Sequence, residues 1–440
     1  MVKNTLFAFL NSSNLRTQIV KGTVSGFLIQ IGFAGLSFIT ATVLARLLGV
    51  DGYGAYSNAN SWVLILTALG LFGLNSILLR DMAILKSQNN LALMKGLLRF
   101  SDGLILSLSV FLMLILWVVA FFLFSSPEKE NLRSSLWIAA PLIPLYTLIN
   151  LRQSAMRGLH QVARAMLPDL IIRPGLTLVC VIGLYLFFPN LINLQVILAL
   201  CIIVAMVDLV ISERWLQFLL PEDLHTTQPR YQINEWLKSA PPMFVIGGTQ
   251  ILFAQAPTIL LGMFSNAKNI GYYAIVSRVA NLLIFLPLAL AVVMGPMIAS
   301  LYSQGEKVRL QNVIKKTNRL TFTVTFLFCL IFIIFAKNIL SIFGQEFKIA
   351  DKALILLVIG YLVDSGFGMS IITLMMTGFE LVVAIYQTAF TVLLVVLCIL
   401  LIPSRGFESA ALAFMTVMII SRIIFAYLAK KKTGINTTIF

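Results

Sequence analysis

The chain has 440 residues, of which 59% are hydrophobic and only 11% are charged, and its mean hydropathy is +0.96. A soluble globular protein carries roughly 25% charged residues, so this chain lacks the polar surface that water requires and is predicted to be an integral membrane protein. Its net charge of +15 does not indicate a nucleic-acid partner, because basic residues accumulate in the cytoplasmic loops of membrane proteins.

Twelve apolar segments of the chain are long enough to cross a membrane, for which about 20 residues are needed. Residues 1–18 lack a signal-peptide pattern, so the first segment is expected to stay in the mature protein. The predicted spans are 20–47, 54–79, 97–124, 134–156, 163–188, 191–212, 236–264, 271–299, 320–343, 351–376, 379–402 and 407–429.

The glycine-containing stretch that joins the first two spans has an echo in the second part of the chain. GAY at Gly54–Tyr56 aligns with GYY at Gly271–Tyr273, and MRG at Met156–Gly158 aligns with MTG at Met376–Gly378 at nearly the same offset along the chain. The two echoes predict two equivalent halves, an internal symmetry typical of transporters. The alternative is chance similarity between short apolar segments.

Lysine and arginine residues are distributed unequally between the two sides of the predicted membrane. With the N-terminus inside, 21 fall on inner connections and 8 on outer ones, which predicts that both termini face the cytoplasm. The predicted organisation is a first six-helix bundle at 1–218, a cytoplasmic linker at 219–234 and a second six-helix bundle at 235–440. The halves are then parallel repeats about an axis along the membrane normal.

One inner connection has the pattern of an amphipathic helix. Within Ser303–Arg319 the apolar residues share one helical face, and basic residues fill the rest; these apolar residues are Val308, Leu310, Val313 and Ile314. We expect this segment to be a helix lying on the anionic inner leaflet.

Neither the cysteines nor the histidines form a chemical motif. The four cysteines each lie within an apolar run without CxxC spacing, and both histidines lie in predicted loops, so no metal and no cofactor are expected. There is no P-loop, and no connection is longer than about twenty residues, which leaves no room for a soluble catalytic domain. An enzyme is therefore not expected.

Arg278 is the clearest ionisable residue inside a predicted span. It lies seven residues after Gly271, roughly 10 Å into the eighth span, and a charge at the centre of a membrane helix costs about 2.5–3.5 kcal/mol on insertion scales. No carboxylate lies one helical turn away on either side. We interpret Arg278 as an anion-binding group in a central cavity, and the alternative is a structural pair with a carboxylate or with helix-end carbonyl groups.

Further polar residues in or near the spans are candidates for the same cavity. Arg173 follows Asp169 by four residues, so the two side chains share a helical face and can neutralise each other. Arg422 has no acid nearby in the sequence, and Arg46 at the outer end of the first span can extend to the surface. The predicted substrate-binding set is Arg278, Arg46, Arg173, Arg422 and Gln30.

The inner ends of the first two spans carry the residues expected at a cytoplasmic entrance, namely Lys21, Arg80 and Asp81. The first and seventh spans, which open the two halves, are rich in glycine and proline. Helices that bend at such residues suit a gate that opens alternately to each side, and the alternative is close packing without motion.

Three segments carry a family resemblance. They are LARLLGVDGYGAYS at Leu44–Ser57, MRGLHQVARAMLPDL at Met156–Leu170 and IGYYAIVSRVANLL at Ile270–Leu283. They resemble the signatures of polysaccharide-exporting flippases of the Wzx type, within the multidrug/oligosaccharidyl-lipid/polysaccharide (MOP) exporter superfamily. The resemblance extends over about residues 15–430, and its motifs mark the family and not the sugar.

The resemblance implies an all-α integral membrane protein with a MATE-like fold, in which about twelve helices form two six-helix bundles around a central cavity. It also implies export of an undecaprenyl-pyrophosphate-linked oligosaccharide from the cytoplasmic to the outer leaflet of the inner membrane, for O-antigen, capsule or exopolysaccharide synthesis. Membrane lipids, together with a polymerase and a chain-length regulator of the same pathway, are the implied partners.

One departure from the family concerns Pro257, which stands where members often carry an acidic residue in helix seven. Proton or sodium coupling is therefore left open. A multidrug cation exporter of the same superfamily is the first alternative, but it would need carboxylates in its cavity. A membrane polysaccharide polymerase is the second, and it would need a long outer loop with clustered catalytic groups.

Overall fold

The computed structural model describes residues 13–224 and 226–438, with side chains from residue 29 onward except at 242, 246, 286, 289, 292 and 293. The predicted entrance residue Lys21 has its side chain outside this described part. Within the described residues the structure is helical and contains no β-strand, as the continuous apolar segments predict.

The first half follows the first six predicted spans. A 44° bend divides the fourth span into two helices, and the π-helical turn Pro168–Ile172 divides the fifth. The helices are α1 (Ser13–Leu71), α2 (Leu74–Ser87), α3 (Leu91–Leu123), α4 (Glu130–Ala139), α5 (Leu142–Gly158), α6 (Val162–Leu167), α7 (Arg173–Phe187) and α8 (Leu194–Leu219).

The second half follows the remaining six predicted spans. The 3-10 turn Asn281–Ile284 interrupts the eighth span, and a 43° bend divides the tenth. The helices are α9 (Ile233–Phe264), α10 (Ala267–Ala280), α11 (Phe285–Ser303), α12 (Lys307–Ile334), α13 (Ala336–Ser341), α14 (Asp351–Phe367), α15 (Met369–Met376), α16 (Glu380–Arg405) and α17 (Phe407–Thr433).

In the described part of the chain, eight helical stretches are long and apolar enough to cross a membrane, or ten if each bent pair is one span. The helix α1 is one of these eight stretches, although it contains the first predicted span and most of the second. Its backbone is broken at Gly49, between the two spans. The eighth predicted span is divided between α10 and α11. The prediction of a multi-pass all-α protein is confirmed.

In each half, the break between the first two predicted spans falls at an equivalent position. Gly49 has φ +67°, which L-residues with a side chain rarely adopt, so the backbone conformation itself requires glycine. In the second half, Asn266 stands at the position that the Gly54–Gly271 alignment pairs with Gly49. Asn266 caps α10 by accepting a hydrogen bond from the backbone N–H of Asn269 at 3.0 Å. One half therefore breaks its helix with glycine and the other with a capping side chain.

The second predicted span, 54–79, is interrupted in the structure. Phe72 and Gly73 both have positive φ, 46° and 80°, so α1 ends at Leu71 and α2 starts at Leu74. A Cβ atom at Gly73 would lie only 2.4 Å from the carbonyl oxygen of Ala240 in α9. The interruption therefore lies where the first half comes into backbone contact with the second.

Most of Ser303–Arg319 is helical as predicted, but its expected position as a helix lying on the membrane surface is wrong. Most of this segment is the first part of α12, which continues without a break into the ninth span. Leu310 and Ile314 are fully buried against protein, whereas Val308 is 77% exposed. The apolar face that resembled a lipid-binding surface is mostly an internal packing surface.

The apolar core joins the two halves more extensively at one end. The largest buried cluster combines residues around Gly49 in α1 with residues of α9, α10, α14 and α17. We call this the Gly49 end, and the charge distribution predicts that it faces outward. Towards the opposite end, each half has a separate smaller cluster, the first of which also takes in Trp236 and Ala240 of α9.

Candidate functional site at the seam between the halves

We define the seam as the contact of α1 with α9 and α10. At the Gly49 end it is formed by the two glycines of the sequence repeat. A Cβ atom on Gly54 would lie 1.9 Å from the carbonyl oxygen of Ala267, and one on Gly271 would lie 2.2 Å from that of Val50. The alignment that pairs Gly54 with Gly271 also pairs Val50 with Ala267. The two contacts are therefore equivalent: Gly54 faces the carbonyl group of Ala267, and Gly271 faces the carbonyl group at the matching position, Val50.

Such a reciprocal contact is what a two-fold axis generates when it passes between two equivalent surfaces. Small residues allow helix backbones to approach this closely inside a membrane. The geometry therefore supports the predicted two-fold relation between the halves and explains why glycine is needed at both positions.

Polar side chains continue the seam beyond the two glycines. The fully buried Asn58 donates from Nδ2 to the carbonyl oxygen of Thr258 at 3.0 Å, and the Ser61 hydroxyl donates to Oε1 of Gln255 at 2.9 Å. Polar groups inside a membrane protein need partners, and here each half provides partners for the other. Separation of the halves would leave these groups to be solvated by water or by a polar ligand.

Two cations of the first half bind helix ends of the second half near the Gly49 end. The Lys129 ammonium donates to the carbonyl oxygens of Gly262 and Met263, at 3.4 and 2.7 Å, in the last turn of α9. Nε of Arg46 donates to the carbonyl oxygen of Ile342, which follows α13, at 2.8 Å. Cations at helix C-termini are stabilised by the helix dipole, so both contacts hold this end closed.

Arg278 lies on α10 and faces the part of α1 that precedes Gly49. Its guanidinium donates from Nη1 to the Ser37 hydroxyl of α1 at 2.5 Å. No carboxylate of the described residues forms an ion pair with Arg278. The predicted anion-binding residue therefore lies between the two halves, and its side-chain hydrogen-bond partner among the described residues is a neutral hydroxyl.

The other predicted arginines inside the bundles have acidic partners. Arg173 pairs with Asp169, as the spacing of four residues predicts, and its guanidinium lies 4.4 Å from the ring centre of Tyr146. Arg422 pairs with Asp364 of α14, an acid that the local sequence around Arg422 does not reveal. Each of these two arginines belongs to one half, and neither contacts Arg278 in the described hydrogen bonds and ion pairs.

The remaining predicted site residues lie towards the two ends. Gln30 is half-buried in α1. Arg80 and Asp81 pair with each other at 2.6 Å on α2, and the hydrogen bond from Arg80 to Asp81 is the main cause that raises the pKa of Arg80. These two charges largely neutralise each other, and their place at a cytoplasmic entrance stays a prediction.

Sequence reasoning missed the uncharged members of the seam and one charged cluster. Ser37 and Asn58 are common residue types, and only their partners across the seam mark them. Arg152 of α5 donates to both carboxylate oxygens of Asp102, at 2.5 and 3.2 Å, and also pairs with Glu213. This cluster joins α3, α5 and α8 within the first half.

Two bundles of membrane-spanning helices that meet along a partly polar seam are the architecture of a multi-pass transporter. Residues 19–302 match the family model described as polysaccharide biosynthesis protein, and residues 242–402 match the MatE family model. The first match covers more than half of the chain, so the chain belongs to the polysaccharide biosynthesis protein family. No curated protein matches the sequence.

Solved structures with a similar fold include an inward-facing multidrug resistance MATE family transporter of the MOP superfamily, with TM-score 0.75, 14% identity and coverage of 94% of this chain and 98% of that one. The lipid II flippase MurJ in an inward closed conformation gives TM-score 0.71, 16% identity and coverage of 93% and 87%. A MOP superfamily transporter from Pyrococcus furiosus gives TM-score 0.65, 14% identity and coverage of 95% of both chains.

These likenesses confirm the predicted MATE-like fold of the MOP superfamily, whose members in this comparison are transporters and flippases and not catalysts.

Proposed function

We propose that the protein is a flippase that moves an undecaprenyl-pyrophosphate-linked oligosaccharide from the cytoplasmic to the outer leaflet by alternating access. The inner membrane is its proposed location, with both termini in the cytoplasm. Synthesis of O-antigen, capsule or exopolysaccharide is the proposed pathway, with a polymerase and a chain-length regulator as the proteins that act next. The family membership and the MurJ-like fold support a lipid-linked substrate.

The main support for the proposal is that Arg278 has no carboxylate partner among the described residues. Its guanidinium lies between the halves with a hydroxyl as its partner, whereas Arg173 and Arg422 are neutralised by carboxylates. A guanidinium at this depth needs polar surroundings, and its planar set of donors fits pairs of phosphate oxygens. Arg278 is therefore the intramembrane cation best suited to bind an incoming pyrophosphate.

The chemistry of the substrate explains why such a group is needed. A pyrophosphate-linked sugar cannot cross hydrocarbon unaided, because its charges and hydroxyl groups would lose their water. Arg278 would replace part of the hydration of the pyrophosphate while the lipid tail remains in the bilayer. Arg46, Arg173, Arg422 and Gln30 remain predicted contacts, and we expect weaker effects from Arg173 and Arg422 because each is already paired.

The test is export of the saccharide in a flippase-deleted strain, measured together with the level of the protein in the membrane. Arg278→Ala should nearly abolish export, and Arg278→Lys should keep the charge but weaken export because an ammonium lacks the planar donor set. Both variants should accumulate in the membrane. Arg309→Ala is the matched control, since Arg309 is 71% exposed and pairs only with its neighbour Glu306 among the described acids.

Normal export by Arg278→Ala would remove Arg278 from the substrate site. Disappearance of both Arg278 variants from the membrane would instead assign the residue a structural role. In either case the proposed contact fails, while the family membership stands.

A multidrug cation exporter is the second candidate, favoured by the MatE match over residues 242–402. Such an exporter needs carboxylates that a cationic substrate can reach. In the second half, Asp364 is already paired with Arg422, and Pro257 of α9, in the seventh predicted span, stands where members of the resembling family often carry an acidic residue. These two observations make the anionic substrate the better supported one.

A further inference from the structure

The segment that follows the last helix is packed inside the second half. Gly434 ends α17 with φ +76°, and the chain then turns back along the bundle. We call residues 434–438 the strap. Ile435 and Thr437 of the strap are both fully buried, which is unusual for a short polar segment at a helix end.

Side chains of α12 bind the strap backbone, and a side chain of α15 contacts a hydroxyl of the strap. Gln311 of α12 forms two hydrogen bonds with Asn436, accepting from its N–H at 2.7 Å and donating to its carbonyl oxygen at 2.6 Å. Asn318, two turns further along α12, donates to the carbonyl oxygen of Thr437 at 2.7 Å. The Thr437 and Ser370 hydroxyls are also 2.7 Å apart. Paired amide contacts of this kind recognise the backbone of an extended segment.

Ile435 links three helices of the second half. Its side chain lies in one apolar cluster with Met294, Ile298 and Leu301 of α11, Leu310 and Ile314 of α12, and Met369 of α15. Leu310 and Ile314, the buried part of the apolar face of Ser303–Arg319, are therefore packed in one cluster with the strap and α11. This contact accounts for a sequence pattern that otherwise indicates a membrane-surface helix.

The first half has an equivalent of the strap. The start of α12 follows the start of α3 by nearly the same number of residues as Gly271 follows Gly54, and the end of α17 follows the end of α8 by a similar number. The linker after α8 therefore corresponds to the strap after α17. The linker also lies on its half: the N–H of Arg230 donates to the carbonyl oxygen of Ala92 in α3 at 2.9 Å, and a Cβ atom on Gly96 would lie 1.8 Å from the carbonyl oxygen of Arg230.

We propose that the strap is a positioning element that holds α11 against α12 and α15. The helix α11 is the continuation of α10, which carries Arg278, beyond the 3-10 turn Asn281–Ile284. By fixing α11, the strap fixes the part of the eighth span that lies towards the end opposite the Gly49 end. This role does not depend on which substrate the protein moves.

The test uses cysteine cross-linking between α11 and α15 in the full chain, after replacement of the four native cysteines. A Cβ atom on Gly295 would lie 3.7 Å from the Met376 sulfur, so the pair Gly295→Cys/Met376→Cys should cross-link rapidly with a short bis-methanethiosulfonate. Addition of Ile435→Asp should slow this reaction roughly fivefold or more, because a buried charge displaces the strap. Ile435→Val in place of Ile435→Asp keeps an apolar side chain and should leave the cross-linking rate unchanged.

Two controls separate positioning from general loss of structure. Val308→Asp places the same charge at an exposed site of α12 and should leave the rate unchanged. The pair Gly32→Cys/Ile171→Cys lies in the first half, where a Cβ atom on Gly32 would be 3.1 Å from Cδ1 of Ile171, and it should react equally with and without Ile435→Asp.

An unchanged rate for the Gly295/Met376 pair, or an equal decrease for both pairs, would overturn the proposal. If the Ile435→Asp protein does not accumulate, Gln311→Ala decides. It removes two hydrogen bonds of the strap and leaves Ile435 in place, so it should slow the Gly295/Met376 reaction about twofold or more. An unchanged rate in that variant would also overturn the proposal.

Discussion

The glycine contact at the Gly49 end makes Gly54→Ala the most informative single substitution in the seam. The added methyl group would lie 1.9 Å from the carbonyl oxygen of Ala267 and 2.8 Å from the backbone nitrogen of Gly271. Both neighbours are backbone atoms of α10, so no side chain can rotate away to make room. The two helices must separate.

The size of the effect follows from that distance. Carbon and oxygen atoms in close contact are about 3.3 Å apart, so α1 and α10 must move apart by about 1.4 Å if the motion is along the contact. A gap of 0.5–1 Å already loses roughly a quarter to a half of the dispersion energy of the facing atoms. With a typical cost of about 1–3 kcal/mol for overpacking, the closed seam should become roughly 5 to 150 times less populated relative to an open one.

The assay is labelling of Ser61→Cys by an impermeant maleimide added from outside, because Ser61 is buried in the closed seam. Gly54→Ala should increase the labelling rate and reduce export, since return to the closed outer state becomes unfavourable. Gly271→Ala should do the same, and the double variant should have less than the summed effect because both substitutions act on one contact.

Gly35→Ala is the matched control on the same helix, because a Cβ atom there has no heavy atom within 4 Å in the structure. It should label and export as the unmodified protein does. The reasoning is refuted if Gly54→Ala also labels and exports normally, or if Gly35→Ala increases labelling to the same extent.

Arg422→Ala should lower the amount of protein in the membrane, because it leaves the partly buried Asp364 as an unpaired charge at a cost of up to about 3–5 kcal/mol; normal accumulation would contradict this. A phosphatase reporter at the C-terminus that is active only outside should stay silent, and strong activity would disprove the predicted topology. Flipping in liposomes at a fixed, inside-negative potential should continue without a proton or sodium gradient, since moving charge across 100 mV is worth about 2.3 kcal/mol per charge; absolute dependence on such a gradient would count against it.

The all-α, multi-pass fold could be predicted from the sequence because membrane helices are visible as long apolar segments. Their lengths predicted the helices, and the echo at Gly54 and Gly271 predicted two equivalent halves. The acid at i−4 predicted the pairing of Arg173 with Asp169. These features depend on contacts that are local or repeated in the chain.

Contacts between distant segments could not be predicted in this way. The acid that pairs with Arg422 comes from α14, and the hydroxyl that contacts Arg278 comes from α1, in the other half of the chain. The apolar face at Leu310 and Ile314 predicted a partner surface but not its identity, and the strap, not lipid, shares that face with α11. Helical periodicity indicates that one face of a helix is buried, but it does not identify the segment or lipid that covers that face.

The charge of the ligand that the purified protein binds tests the central claim most directly. Undecaprenyl-pyrophosphate-linked saccharide should bind, and a lipophilic cationic dye should not. Arg278→Ala should lose the saccharide ligand while Arg309→Ala keeps it, because Arg278 lies at the seam with a hydroxyl as its partner, whereas Arg309 is an exposed residue paired with Glu306. Binding of the cationic dye, with no binding of the anionic lipid-linked saccharide, would contradict the account and favour a cation exporter.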